Sequence, residues 1–207
     1  GGSLLVVQEE HHADGREATN SIVRLAADAP STPAVVVSGP DFVSDPRWRP
    51  DGGAFCWLEW DHPDMPWDAN RLVVDVAGRR TVVAGGDERE SIGQPTWAPD
   101  GSLWFFGDRT GYWSLQRWTA GGGVEIVVDL QRDIGFPQWV FGSRCFVLLD
   151  DGHVVFTYVD GGIHRLAARE PDFGRVSTLD VPHTSIDALT ATDDGVAYIG
   201  ASAIEEP

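Results

Sequence analysis

The sequence predicts an all-β fold: a β-propeller built of four-stranded antiparallel blades, present as an incomplete arc. Three observations carry that reading. The pattern Trp-x-Pro-Asp-Gly occurs twice, at Trp48-Arg49-Pro50-Asp51-Gly52 and at Trp97-Ala98-Pro99-Asp100-Gly101. The copies lie 49 residues apart, close to the roughly 40–50 residues that one four-stranded blade requires. Each copy opens an apolar run, Ala54 to Trp60 and Leu103 to Phe106.

The residues of the turn explain why it forms. Proline presets φ at the first turn position, aspartate bonds its own backbone, and glycine takes the positive φ that other residues resist. On this assignment Gly101→Val is costly and Ser102→Ala nearly neutral. Behind each turn the same order of elements follows. After Gly52 come Ala54 to Trp60, Leu72 to Val76 and Thr81 to Ala84, and after Gly101 come Leu103 to Phe106, Tyr112 to Trp118 and Val124 to Val128. With the short run before each turn, that makes four strands per repeat. A β-sandwich shows turn signals every ~8–12 residues but no such superperiod.

Two weaker echoes extend the series. Trp139-Val140-Phe141-Gly142-Ser143 keeps the tryptophan and a glycine, with Phe146 to Leu149 expected as the strand that follows. Ala191-Thr192-Asp193-Asp194-Gly195 keeps only the turn, ahead of Val196 to Ile199. At the start, Leu4 to Val7, Ile22 to Leu25 and Val35 to Val37 read as the last three strands of a blade whose first strand is not here. The expected organisation is 1–45 as the end of a preceding blade and an approach strand, blades at 46–93, 94–135 and 136–184, and the start of another at 185–207. That is an arc of three full blades plus two partial ones.

Composition narrows the function. At 207 residues with 42% hydrophobic residues, nine Trp and nine Phe, the chain fills one sizeable core. No stretch approaches the roughly 18 consecutive apolar residues of a membrane span, and the start lacks a basic leader region. The net charge of −17 argues against nucleic acid or an anionic membrane as partner, since both reward clustered positive charge. Solubility of a tryptophan-rich β protein accounts for the acidity by itself. Cys56 and Cys145 are expected in corresponding strands of blades that are not neighbours, so as reduced, buried thiols of a cytoplasmic protein.

The most specific stretch is Trp60-Asp61-His62-Pro63-Asp64-Met65-Pro66-Trp67-Asp68. It resembles the WDHPxMPWD signature in the propeller of bacterial peptidases similar to prolyl oligopeptidase, of the dipeptidyl aminopeptidase or acylaminoacyl peptidase type. Gly39-Pro40-Asp41-Phe42-Val43 with Pro46 resembles that family's approach to the turn. Gln94-Pro95-Thr96-Trp97, Gly111-Tyr112-Trp113-Ser114-Leu115 and Pro137-Gln138-Trp139-Val140-Phe141-Gly142 resemble its later blades. The resemblance covers nearly the whole chain. It implies a propeller that caps an α/β-hydrolase domain with a serine, histidine and aspartate triad, covers the active site and selects short peptides.

None of that hydrolase domain is expected in this chain. The nucleophile elbow needs Gly-x-Ser-x-Gly. Gly1-Gly2-Ser3-Leu4-Leu5 and Gly200-Ala201-Ser202-Ala203-Ile204 both lack the closing glycine. The chain therefore carries no catalytic residue, and the expected enzyme is its parent, a serine peptidase. Partners implied are the peptide substrate and the absent hydrolase domain, with self-association through open end blades. No cofactor and no metal is expected. The alternative is a TolB-like or WD-repeat-like propeller that serves as a protein-binding module. A propeller glycosidase needs two carboxylates paired across ~5–9 Å, and no sequence feature pairs them.

Candidate site residues follow from local density. Asp61, His62, Asp64 and Asp68 gather three carboxylates and an imidazole within eight residues, a density suited to a cation. Loop architecture is the preferred reading: Pro63 and Pro66 stiffen the loop, and Trp60 and Trp67 pack it onto the blade. His62 and Asp68 are kept as substrate-contact candidates. Glu9 and Glu10, followed by His11 and His12, sit where the first strand ends and suit the free amino terminus of a peptide. Asp14-Gly15 marks the simpler reading, a solvated hairpin. His153, His164 and His183 are isolated. Gly121-Gly122-Gly123 lacks the Gly-Lys-Ser/Thr ending of a phosphate loop and reads as a hairpin.

Overall fold

The computed structural model describes residues 2–86, 89–139 and 141–202. Gly1, Val140, Ala203 and Ile204, which belong to strings quoted above, lie outside them. Among the described residues every regular element is a strand, and the strands form five antiparallel sheets. The first sheet holds β1 (Ser3–Glu10), β2 (Thr19–Ala26) and β3 (Ala34–Val37). The second holds β4 (Phe42–Trp48), β5 (Ala54–Trp60), β6 (Arg71–Val76) and β7 (Arg79–Ala84). The third holds β8 (Ile92–Trp97), β9 (Leu103–Gly107), β10 (Ser114–Thr119) and β11 (Gly123–Val128). The fourth holds β12 (Phe146–Leu148), β13 (Val154–Asp160), β14 (Ile163–Arg169) and β15 (Val176–Leu179), and the last holds β16 (Ser185–Thr192) and β17 (Gly195–Ala201). Strand order follows chain order within every sheet, so each sheet is a meander and the whole is an open arc of propeller blades.

Side-chain alternation stacks the sheets. Successive residues of a strand point to opposite faces. In β5, Cys56 and Leu58 join Leu103 and Phe105 of β9 in one core, whereas Phe55 and Trp57 join Ile22 and Val37 of the first sheet in another. In β9, Trp104 and Phe106 turn the other way and meet Phe146 and Phe156 of the fourth sheet. Val147 and Val155 then face Ile186 and Leu189 of the last sheet. Inner strands are thus buried on both faces, which is why they read as continuous apolar runs rather than alternating ones. The fourth strands are the outer edges, and β7 exposes four of its six residues in succession.

The Pro-Asp-Gly turns close as the sequence predicts. Gly52 N–H donates to the Arg49 carbonyl at 2.8 Å and Gly101 N–H to the Ala98 carbonyl at 3.0 Å. The glycines have φ of 70° and 82°. Asp51 Oδ1 accepts from Gly53 N–H at 2.9 Å, and Asp100 Oδ1 from Ser102 N–H at 2.9 Å.

The third repeat departs from expectation: the turn equivalent to the first two is Leu149-Asp150-Asp151-Gly152, where Gly152 N–H donates to the Leu149 carbonyl at 2.9 Å and Gly152 has φ 85°. Phe146 to Leu148 therefore precedes its turn as a first strand instead of following one. Leu148 and Asp150 stand where the first two copies have tryptophan and proline, so the motif had lost the residues by which it is read. Cys145 consequently precedes a first strand while Cys56 lies in a second, and the two positions do not correspond. Both thiols are free and buried, and burial pushes both well above the ordinary thiol range.

Three of the four first strands, β4, β8 and β16, carry a bulge, whereas β12 pairs with β13 in unbroken register. The register of β4, β8 and β16 shifts at Asp45, Gln94 and Ala188, which have φ of 45°, 51° and 54°. A bulge re-aims the side chain at that point. Asp45 and Gln94 use this to reach neighbouring blades, as described below.

Candidate functional site

Antiparallel order puts the second-to-third strand loops and the links between sheets on one side of the arc, and the Pro-Asp-Gly turns on the other. The signature loop, residues 61–70, joins β5 to β6 on the first side. Its own turns are local: Asp64 N–H donates to the Asp61 carbonyl at 3.1 Å and Asp68 N–H to the Met65 carbonyl at 2.8 Å. Asp68 Oδ2 in turn accepts from Met65 N–H at 3.1 Å.

The acidic residues are held by named partners. Asp61 Oδ1 accepts from Asp41 N–H at 3.0 Å, and Asp41 Oδ2 accepts from His62 N–H at 2.9 Å, a reciprocal pair that ties the loop to the link before β4. Asp61 Oδ2 accepts from Arg71 Nη2 at 2.7 Å, and this bond holds its carboxyl below the usual range. Asp64 Oδ1 accepts from Arg89 Nη2 at 2.7 Å. His62 Nε2 lies 2.7 Å from Glu17 Oε1 of the β1–β2 loop, and hydrogen bonding to that carboxylate raises the imidazole above its ordinary value. Asp61, His62, Asp64, Arg71 and Arg89, with Trp60, line a polar cavity of about 230 Å³. Among the described residues no group of three His, Cys, Asp or Glu is placed to hold a metal ion.

The loop is anchored by its aromatics and by Asn70. Trp60 stacks on Phe42 with centroids 5.4 Å apart, and His62 meets the edge of the same ring at 5.0 Å. Trp67 packs on Trp139 at 4.4 Å, and Trp139 remains 72% exposed. Pro66 is buried, while Pro63 and Met65 are exposed. Asn70, buried, donates to the Pro66 and Ile92 carbonyls at 3.2 and 2.8 Å and accepts from Ile92 N–H at 2.9 Å. Beneath it the buried Glu90 carboxylate receives Arg109 at 3.2 and 2.9 Å and Gln116 Nε2 at 3.0 Å.

Glu9 and Glu10 lie inside β1, opposite Asn20 and Thr19, with exposed carboxylates on the same side of the arc. Glu9 Oε1 lies 3.1 Å from His11 Nε2. Asn20 Nδ2 donates to the Asp41 carbonyl at 2.7 Å, which joins this strand end to the signature loop's support. Among the described residues it is Glu17, rather than Glu9 or Glu10, that reaches the loop directly. Sequence reasoning passed over Glu17, Arg71, Arg89 and Asn70. The only sequence signal for them is the position of Arg71 and Asn70 at the loop's exit, because Glu17 and Arg89 meet the loop across 45 and 25 residues of chain.

The other histidines make local contacts: His153 Nδ1 lies 3.0 Å from Asp151 Oδ2, His164 Nδ1 lies 2.9 Å from the Ile186 carbonyl and 3.0 Å from the Ile186 N–H, and His183 Nδ1 lies 3.0 Å from Tyr198 Oη. The Gly121 to Gly123 stretch closes the β10–β11 hairpin, with Gly122 N–H donating to Thr119 Oγ1 at 3.1 Å.

No family model and no curated protein matches the chain. Solved structures do. Puromycin hydrolase superposes with a TM-score of 0.86 and 29% identity over 97% of this chain and 32% of its own. The chain thus spans about a third of the length of that relative. Two matches at lower identity bear on the fold alone: a structure of prolyl endopeptidases at TM-score 0.66 and 14% identity, covering 91% of this chain and 27% of that one, and TolB from Acinetobacter baumannii at 0.65 and 17%, covering 99% and 48%. In fold the chain matches β-propeller structures, and in sequence it is similar to puromycin hydrolase.

Proposed function

We propose that this chain is the non-catalytic propeller portion of a serine peptidase of the prolyl oligopeptidase type, where it covers the active site and admits short or unstructured peptides. The observation that carries the reading is the 29% identity to puromycin hydrolase across 97% of the chain. The signature loop supports it, since its aromatic and ionic anchors fix one rigid rim on one side of the arc. Bond cleavage belongs to a separate α/β-hydrolase domain, where serine attacks, histidine acts as base and aspartate orients it.

On this reading the protein is an aminopeptidase, and Glu9 and Glu10 hold the protonated amino terminus of the substrate through exposed carboxylates at the end of β1. His62 and Asp68 border the path to them. The two unpaired thiols suit a cytoplasmic protein. The apolar residues left exposed on the end sheets, Leu4, Val6 and Val35 on the first and Ile199 on the last, pack against further blades or a second copy. The second reading, a TolB-like binding module, draws on the shared fold with TolB.

The test uses the full gene product. Expected are labelling of one serine by a fluorophosphonate outside this chain and hydrolysis of phenylalanyl anilides. Glu9→Gln with Glu10→Gln should raise KM roughly tenfold for the free-amine substrate and spare its N-acetyl counterpart. A product without a labelled serine supports the binding-module reading instead. Equal KM changes for both substrates remove Glu9 and Glu10 from the site.

A further inference from the structure

On the side opposite the signature loop, the ends of four first strands, β4, β8, β12 and β16, converge around a cavity of about 500 Å³. Its walls are Trp48 and Trp97 of the two turn motifs, Pro95, Pro99, Phe146 and Leu148. A cavity of this size, mostly apolar with a few convergent polar groups, is the usual form of a small-ligand site.

The polar groups in its wall are mainly donors. Arg47 and Arg144 both line it. Arg47 Nη2 is paired behind the wall with Asp45 Oδ1 at 3.0 Å, whereas no hydrogen bond or ion pair to a carboxylate engages Arg144 among the described residues. Trp48 lines it too, but its indole N–H, buried without an acceptor, is out of reach of a ligand there. Gln94 is already spent, since both ends of its amide bond the backbone of Cys145 and Phe146. Asp150 is the carboxylate present, at the exposed rim. An apolar chamber with an exposed guanidinium free of carboxylate partners at its wall suits an anionic acceptor attached to an apolar body.

We propose that this cavity binds the carboxylate end of an apolar group, as presented by the C-terminus of a short peptide or by a free apolar carboxylic acid. The phenyl or alkyl body lies against Trp97, Phe146 and Leu148, and the carboxylate meets Arg144. The site stands apart from the signature side and does not depend on the peptidase reading.

The experiment titrates the 207-residue chain with N-acetyl-phenylalanine, its uncharged amide and octanoate, following tryptophan fluorescence and the melting temperature. Expected is saturable binding of the acid, about tenfold weaker binding of the amide, and loss of that preference in Arg144→Gln. Arg144 is exposed, so the variant should melt like the parent before ligand is added. Octanoate binding as tightly as N-acetyl-phenylalanine assigns the site to free acids; octanoate failing to bind assigns it to peptide ends. Equal affinities for acid and amide, no saturable signal from any of the three, or an Arg144→Gln variant that keeps the preference overturns the proposal.

Discussion

Gln94 donates its Nε2–H to the Phe146 carbonyl at 2.6 Å, and its Oε1 accepts from Cys145 N–H at 2.7 Å. One buried side chain thereby satisfies both the donor and the acceptor at the entry to the next blade. The residue can reach because the β8 bulge turns it out of register, at φ 51°. Cys145 and Phe146 are 1% and 0% exposed, so water cannot replace the amide.

Gln94→Ala should therefore cost roughly 2–4 kcal/mol, since a buried unsatisfied polar group costs about 1–3 kcal/mol. Gln94→Glu puts a carboxylate oxygen against the Phe146 carbonyl in a buried place and should cost at least as much. Urea unfolding midpoints at constant m-value measure both. A Gln94→Ala variant as stable as the parent would show that the two blades do not depend on this bridge.

The Glu17–His62 pair gives a pH dependence. Its hydrogen bond raises the His62 imidazole above the ordinary 6.5. The stabilisation is therefore fully present below the ordinary value and is lost as pH rises through the raised one. Both groups are exposed, so the effect on overall stability is small. Glu17→Gln should return the His62 titration toward 6.5 in an NMR pH series, with the other histidines unmoved. An unchanged His62 titration in that variant refutes the pairing.

Gly101 has φ 82°, where a β-branched side chain is strained, and Gly101→Val should cost more than about 1 kcal/mol. Ser102→Ala is not the neutral control that the sequence suggested. Its hydroxyl donates to Asp100 Oδ1 at 2.6 Å and accepts from Trp104 Nε1 at 3.1 Å, and the residue is 3% exposed. That substitution should cost roughly 1–2 kcal/mol. Gly121→Ala is the better control, because a Cβ there meets no atom within 4 Å and φ is not positive. Thermal melts of the three variants should rank Gly121→Ala nearest the parent; a Gly101→Val melt equal to it would contradict the turn.

The sequence by itself determined the architecture, the repeat and the first two turns, because proline, aspartate and glycine act on neighbouring backbone within five residues. The apolar runs Ala54 to Leu58 in β5 and Leu103 to Phe106 in β9 were legible as well, since those stretches are buried on both faces. The third turn was obscured because Leu148 and Asp150 had replaced the two most legible residues of the motif, while Trp139 offered a false anchor.

What tertiary structure alone decided are the contacts between blades. Trp67 meets Trp139 across 72 residues, Asp45 pairs with Gln138 across 93 and Gln94 with Phe146 across 52. Such pairs carry no local signature, because their geometry depends on how far each sheet is rotated against the next and where each bulge falls. The same holds for the candidate site. The signature loop is legible as a string, but the partners that orient its charges, Glu17, Asp41, Arg71 and Arg89, are brought to it by the stacking and pairing of strands. The cavity of the four first strands exists only because those strands converge.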